Sequence, residues 1–262
     1  MSQLNIVENK PALLIDIFID GKPNKILVIS DLHIGITYWS RSTDIAIDWY
    51  QIIKDIESEL RDIVISNKVN SIVLLGDIKN NIYRMEKQDW NLIPNFLHSL
   101  TKICQVYLIP GNHDSKLELI SPDNVHLIGV KGMVIDDILL THGHTFPSKL
   151  RSNINKIIMG HIHPTFYRED NILSGQKVWI FLKVKKEAIF PSTSGSLDLV
   201  LVPSFNKYIY GYSKSRKGKI NSPILKKILK KEIIDKCLIV SMDGNIIGNE
   251  NTLDEVFNPG FN

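Results

Sequence analysis

The sequence predicts an α/β fold: two mixed β-sheets packed face to face, with helices on the outside. Three observations predict it. Five short apolar runs, Lys25–Ile29, Ser71–Leu75, Val106–Ile109, Ile138–Leu140 and Lys156–Met159, are rich in Ile and Val and end in Gly or polar residues. Such continuous runs mark strands buried on both faces. Longer segments with apolar residues at helical spacing lie between them. Two further apolar stretches, Gln176–Val184 and Leu197–Val202, follow the last run and supply a second sheet.

Taken in order, residues Ala12–Ile19 and Lys25–Ser30 flank Asp20-Gly21, a strong hairpin signal. Residues Asp44–Asn67 carry Ile45, Ile52, Ile56, Leu60 and Ile63 at helical spacing, with Thr43 or Asp44 as the expected cap. A second helix is expected over Glu86–Leu100. Near the C-terminus, Ser222-Pro223 opens a helix whose stripe is Ile224, Leu225, Ile228, Leu229 and Ile233. Lys226, Lys227, Lys230 and Lys231 fall on its other face.

Six of the eight histidines sit in short motifs directly after the apolar runs. These are Asp31-Leu32-His33, Gly111-Asn112-His113-Asp114, Thr141-His142-Gly143-His144 and Gly160-His161-Ile162-His163, joined by Gly76-Asp77. In open α/β sheets, sites form at the carboxyl ends of strands, so these side chains should converge. Carboxylate, imidazole and one carboxamide are the ligand set of a two-metal hydrolytic centre. A carboxylate can serve two cations at once, and Asp77 is the candidate. Nitrogen and oxygen donors without thiolate suit manganese, iron, zinc or nickel, and argue against calcium or an iron–sulfur cluster.

At these motifs, over roughly residues 12 to 205, the chain resembles the calcineurin-like metallophosphoesterase superfamily. Gly-Asp alone is uninformative, but Gly-Asn-His-Asp and Gly-His-x-His in this order are very specific. The resemblance implies the calcineurin-like sandwich fold and one metal held by Asp31, His33, Asp77 and His163. The other would be held by Asp77, Asn112, His142 and His161, with Mn²⁺ as the expected ion. It assigns His113 to protonating the leaving alkoxide. Asp114 would either fix the His113 tautomer or hold the loop through backbone amides. Ser30–Gly35, Leu74–Lys79 and Gly160–Pro164 look most like archaeal phosphoesterases related to the nuclease subunit of the double-strand-break repair complex. Phosphoesterases encoded beside bacterial DNA ligases share that look.

Several residues are ambiguous. His144 is a metal-site neighbour or substrate contact, and Asn80 is either a phosphate contact or a turn residue. His98 and His126 lie outside every motif and are read as structural.

Composition bounds the rest. The 262 residues are expected to form one catalytic domain, its motifs at 31–163, with the basic segment 206–236 and a terminal hairpin packed on it. No inserted cap separates the motifs, so the site should be open. Two cysteines, Cys104 in an expected buried strand and Cys237 near the C-terminus, give no disulfide framework. No leader or membrane span is evident, and a cytoplasmic protein without membrane association is expected. From Asn206 to Lys236 there are ten Lys or Arg against two acidic residues, a net of +8 in a chain of net +3. A solvated face is the bland reading, and a strip that steers nucleic acid toward the metals is the sharper one.

The function expected is hydrolysis of phosphodiesters, in nucleotides or in single-stranded or damaged nucleic acid. Phosphomonoesters, including phosphoproteins, are the alternative substrate, and a metal-free protein-binding scaffold is the alternative class. A homodimer is compatible with the sequence. No ATPase partner is expected, because the long C-terminal extension of the repair nucleases is missing.

Overall fold

The computed structural model describes residues 2–35, 48–148, 153–209, 221–230 and 232–257. Its first sheet contains β1 (Gln3–Ile6), β2 (Leu13–Ile19), β3 (Lys22–Ile29), β4 (Ser71–Leu74), β5 (Gln105–Leu108) and β6 (Val125–Leu127), paired in that order. The first three strands pair antiparallel, and β3 to β6 are parallel. The second sheet uses β7 (Met133–Ile135), β8 (Ile138–Thr141), β9 (Lys156–Met159), β10 (Val178–Lys185), β11 (Ser196–Leu201), β12 (Ile234–Ser241) and β13 (Ile246–Gly248). Its order is β13-β12-β10-β11-β9-β8-β7, with β8, β9 and β11 parallel. This is the predicted pair of mixed sheets.

The lack of alternation in the apolar runs has a direct cause. In β3, Ile26 and Val28 face the other sheet, where Leu140, Ile158, Trp179 and Val200 meet them. Leu27 and Ile29 face outward, under α1 (Trp49–Asn67) and α2 (Asp89–Thr101), whose Ile52, Ile56, Leu60 and Phe96 cover them. The outer face of the second sheet is covered in the same way by Ile224, Leu225 and Ile228 of α3 (Pro223–Ile228) and Phe257 of α4 (Asp254–Phe257). Both faces of both sheets are therefore withdrawn from water, each large side chain contributing about 1.5–3 kcal/mol.

The β2–β3 turn is the expected two-residue hairpin, with φ of +50° at Asp20 and +75° at Gly21. Strand β3 starts at Lys22 rather than Lys25 and tolerates Pro23. Pro23 stands opposite Phe18 beyond the start of β4, so its missing N–H costs no ladder bond.

Three helix boundaries differ from expectation. Helix α1 begins at Trp49, where Asp48 Oδ1 accepts from the N–H groups of Tyr50 (2.9 Å) and Gln51 (3.2 Å). Thr43 and Asp44, the expected caps, lie outside the described residues. Helix α2 runs three residues shorter at its start, Asp89 Oδ2 accepting from Glu86 N at 2.7 Å. Helix α3 ends at Ile228, although the apolar stripe continues to Ile233. Leu229 leaves helical geometry with ψ +61°, and the chain turns to pair β12 with β10. Leu229 and Ile233 still pack on the core, but not as helix.

Cys104 is half-buried just before β5, not inside a strand, while Cys237 is buried in β12; both are free thiols. Among the described residues, no helix is long and apolar enough to cross a membrane.

Candidate metal centre

The carboxyl ends of β3, β4 and β5 meet those of β8 and β9 across the sandwich, and every motif loop leaves from that end. The loops after β3 and β4 are joined by backbone hydrogen bonds: Asp31 N to Gly76 O (3.1 Å), His33 N to Asp77 O (2.8 Å) and Ile34 N to Ile78 O (2.7 Å). The two sheets join at Asp31, whose Oδ2 accepts from Ser30 Oγ (2.6 Å) and His161 N (3.0 Å). Gly160 permits that approach, because a Cβ there would overlap Ser30 Oγ. Gly111 does the same beside Asp77.

Three overlapping groups result, each with donor atoms within 4.8 Å of one another: Asp31, His33 and His163; His33, Asp77 and His113; Asp77, His142 and His161. Asp77 Oδ2 lies 3.3 Å from His142 Nε2, 3.6 Å from His33 Nε2 and 3.8 Å from His113 Nε2. Asn112 Oδ1 joins at 3.2 Å from His142 Nε2. All seven residues predicted as ligands thus come together; His33 and Asp77 are each shared by two of the groups, and Asp77 is the only carboxylate so shared.

The donor set fits metal ions. Asp31 Oδ1 is buried with no hydrogen bond, although His163 Nε2 is 3.0 Å away. His33 Nε2 and His163 Nε2 face each other at 3.3 Å. Leu75 O, 2.6 Å from His142 Nδ1, takes the proton of that nitrogen and leaves Nε2 free to ligate. Donor atoms about 3–4 Å apart are what ligand bonds of about 2.0–2.2 Å to one cation require.

Electrostatics favour the ligating protonation state at Asp31, His33, Asp77 and His161 and oppose it at His142. Burial, with the neighbouring His163, lowers the pKa of His33 to about 3, and burial, with His142, lowers that of His161 to about 3. Both are therefore neutral imidazoles at pH 7. Burial opposes ionisation of Asp31 and Asp77, but adjacent imidazoles outweigh it and hold both carboxyls well below the usual range. His142 goes the other way: despite burial, Asp77 raises it to about 9. A cation would have to displace that proton.

Five of the seven residues occupy left-handed backbone: Asp31 (φ +58°), His33 (+42°), Asp77 (+52°), His161 (+72°) and His163 (+50°). Such residues cost about 1–3 kcal/mol each and cluster at functional sites. Solvent reaches the cluster along His113 and His163, whose side chains are 21% and 20% exposed, while Asp31 and His142 are fully buried.

His113 is held differently from the ligands. Its N–H donates to Asp77 Oδ1 at 2.9 Å, and its Nδ1 contacts the carbonyl of Asn80. Asp114 is buried and accepts from the backbone N–H groups of Ile78 (2.8 Å), Lys79 (3.2 Å) and Gly111 (2.8 Å). Of its two expected roles, loop holding is the one with hydrogen bonds. Burial and the nearby Asp77 raise its pKa to about 6 despite those donors. Asn80 contributes its main chain, also donating its N–H to Ile34 O at 3.0 Å.

Four supports went unread in the sequence. The buried Lys79 ammonium bonds the carbonyls of Asn81 and Arg84, bracing the loop beside His113. Ser222 Oγ donates to Gly143 O at 2.8 Å, and Asn206 Nδ2 to Leu32 O at 2.7 Å. The Lys177 ammonium bonds the carbonyls of Ser204 (2.7 Å) and Asn206 (2.6 Å). Only burial distinguishes these residues from surface polar ones, and no local pattern encodes it. His98 is exposed on α2, and His126 stacks on Tyr107 at 4.8 Å, away from the cluster.

A sandwich that gathers histidines, carboxylates and a carboxamide at one end defines a phosphoesterase able to hold metal. The chain belongs to the calcineurin-like phosphoesterase family, whose model matches residues 24–191. The crystal structure of the Pseudomonas putida nuclease MPE aligns over 88% of this chain and 97% of its own, with a TM-score of 0.49 and 14% identity. No curated protein matches the sequence.

Proposed function

We propose that the protein is a phosphodiesterase, acting on nucleic acid or nucleotides through two divalent metal ions, with Mn²⁺ the expected metal. Asp31, His33, Asp77 and His163 would hold one ion, and Asp77, Asn112, His142 and His161 the other. The observation that carries this reading is the central position of Asp77, in contact range of both imidazole groups. When bound, such a metal pair supplies Lewis acidity toward a phosphoryl group and a water of lowered pKa.

The chain's own residues divide the remaining work. Asn112 offers a neutral oxygen, which keeps the centre attractive to an anionic phosphate. His113 stands at the exposed side of the cluster with Nε2 free of hydrogen bonds to carbonyls, placed to give a proton to the leaving alkoxide. Asn80 O orients its ring, and Asp114 fixes the loop that carries it. The strands β12 and β13 complete the second sheet, which supports one catalytic domain over the whole chain.

Two other readings stand against this one. A phosphomonoesterase would use the same residues, and a protein-binding scaffold would need none of them. A screen with Mn²⁺ separates all three, comparing bis-p-nitrophenyl phosphate, p-nitrophenyl phosphate, cyclic nucleotides and single-stranded DNA. Faster turnover of the diesters is expected. Preference for p-nitrophenyl phosphate would replace the substrate class, and inactivity on every ester with metal bound would leave the scaffold.

A further inference from the structure

Beside the metal cluster lies a groove of about 580 Å³ that the reaction described above does not use. It starts at Asn112 and His144 and runs over Leu117, Leu127 and Val130. Leu127 and Val130 are 40% and 41% exposed, and they are apolar surface that no part of the described fold covers. The volume falls in the range of small-molecule sites, about 300–1,000 Å³.

Its ends differ in chemistry. At the metal end His144 packs 5.2 Å from the His142 ring, and its Nδ1 is buried without a hydrogen-bond partner. At the outer end Lys116 and Glu118 bring opposite charges to the rim. An anion anchored at the cluster would thus place its ester substituent on an apolar floor. Glu118 offsets Lys116, and the lining holds no other lysine or arginine to receive a second phosphate.

We infer that this groove is the binding site for the nucleoside part of a nucleotide phosphoester whose phosphate sits at the metal cluster. The inference rests on the phosphoesterase reading of that cluster. A nucleobase offers a flat apolar face for Leu127 and Val130 and polar edges within reach of His144 and the rim. Continuity with Asn112 sets the register, because one residue borders both the metal cluster and the groove.

Isothermal titration of the Mn²⁺-loaded protein tests it, using thymidine 5′-monophosphate, glycerol 3-phosphate and inorganic phosphate. The nucleotide should bind at least about tenfold more tightly than the other two, the scale expected from burying one base face. Val130→Trp should fill the groove and remove that advantage while leaving the affinity for inorganic phosphate unchanged. Leu127→Asn, a smaller change at an exposed position, should reduce the same advantage. Equal affinities in the wild type, or an advantage that survives in both variants, would overturn the groove assignment while phosphate still binds. A wild type that binds no phosphate and hydrolyses no bis-p-nitrophenyl phosphate would instead remove the reading beneath it, and the inference with it.

Discussion

The first sheet carries polar residues at both ends of its parallel strands, and the two ends behave differently. At the amino ends Asn24, Asn70, Gln105, Asn124 and His126 line a hollow of about 480 Å³. Three of them spend polar groups locally: Asn70 Oδ1 accepts from Lys25 N at 2.8 Å, Asn124 Nδ2 donates to Thr101 Oγ1 at 2.8 Å, and Gln105 Oε1 accepts from the Tyr107 hydroxyl at 3.3 Å. None of these residues has positive φ. At the carboxyl ends the side chains are titratable, mostly buried and partly unsatisfied, and the backbone beneath them is strained. A hollow lined by polar groups is therefore not what marks a site. What marks it is polar capacity left unspent at a structural cost.

The comparison breaks most visibly at Asp77. Asp77→Asn should lose both metals, measured by elemental analysis after loading with Mn²⁺. It should cut diester turnover by about 10⁴-fold, because it removes several kcal/mol of charge stabilisation. Retention of two metals per chain would remove Asp77 from its shared position.

His113→Ala tests a residue at the same end that is not a predicted ligand. Metal content should be unchanged, while turnover of substrates with poor leaving groups falls by about 10²–10⁴-fold. Loss on p-nitrophenyl esters should be smaller, since p-nitrophenolate departs without a proton. Equal losses on both would assign His113 to positioning phosphate instead.

Lys177 sharpens the comparison through pH. Burial lowers its pKa to about 7 from 10.5. Between those values the unfolded chain holds a proton that the folded one lacks, so the Lys177 contribution to stability rises with pH across that window. Below about pH 7 the group is charged in both states and its contribution is flat. Denaturant midpoints of wild type relative to Lys177→Met should follow that course, and a difference independent of pH would refute it.

The basic segment should matter only for polyanions. Lys226, Lys227 and Lys230 are exposed, and Lys231 lies outside the described residues. With all four changed to Gln, the log–log salt slope of nucleic-acid binding should fall by about 0.9 per lost phosphate contact on duplex and about 0.7 on single strands. Hydrolysis of bis-p-nitrophenyl phosphate should not change. An unaltered slope would make these lysines ordinary solubilising surface.

The smallest effect is expected at the amino ends. Asn124→Ala with His126→Ala should leave diester turnover and metal content within about twofold of wild type, as for surface substitutions elsewhere. A large loss there would mean that the spent polar groups take part after all.

The sequence by itself determined eight of the thirteen described strands and the polar residues that follow five of them, from which the family resemblance picked seven candidate ligands. It could do so because a doubly buried strand must be apolar at every position, and a metal centre must concentrate a few residue types at strand ends. Tertiary structure decided what depends on contacts distant in sequence. Asp114 turned to backbone amides of residues 36 and 35 positions away, and His113 to the Asn80 carbonyl, 33 away. Asn206 reached back 174 positions to Leu32, and Ser222 came 79 positions to Gly143. Helix α3 stopped where pairing of β12 with β10 outweighed a helical stripe. A main-chain carbonyl has no residue type, and a buried lysine has the same letter as an exposed one. Those roles arise only when packing removes water and leaves each polar group to find a partner.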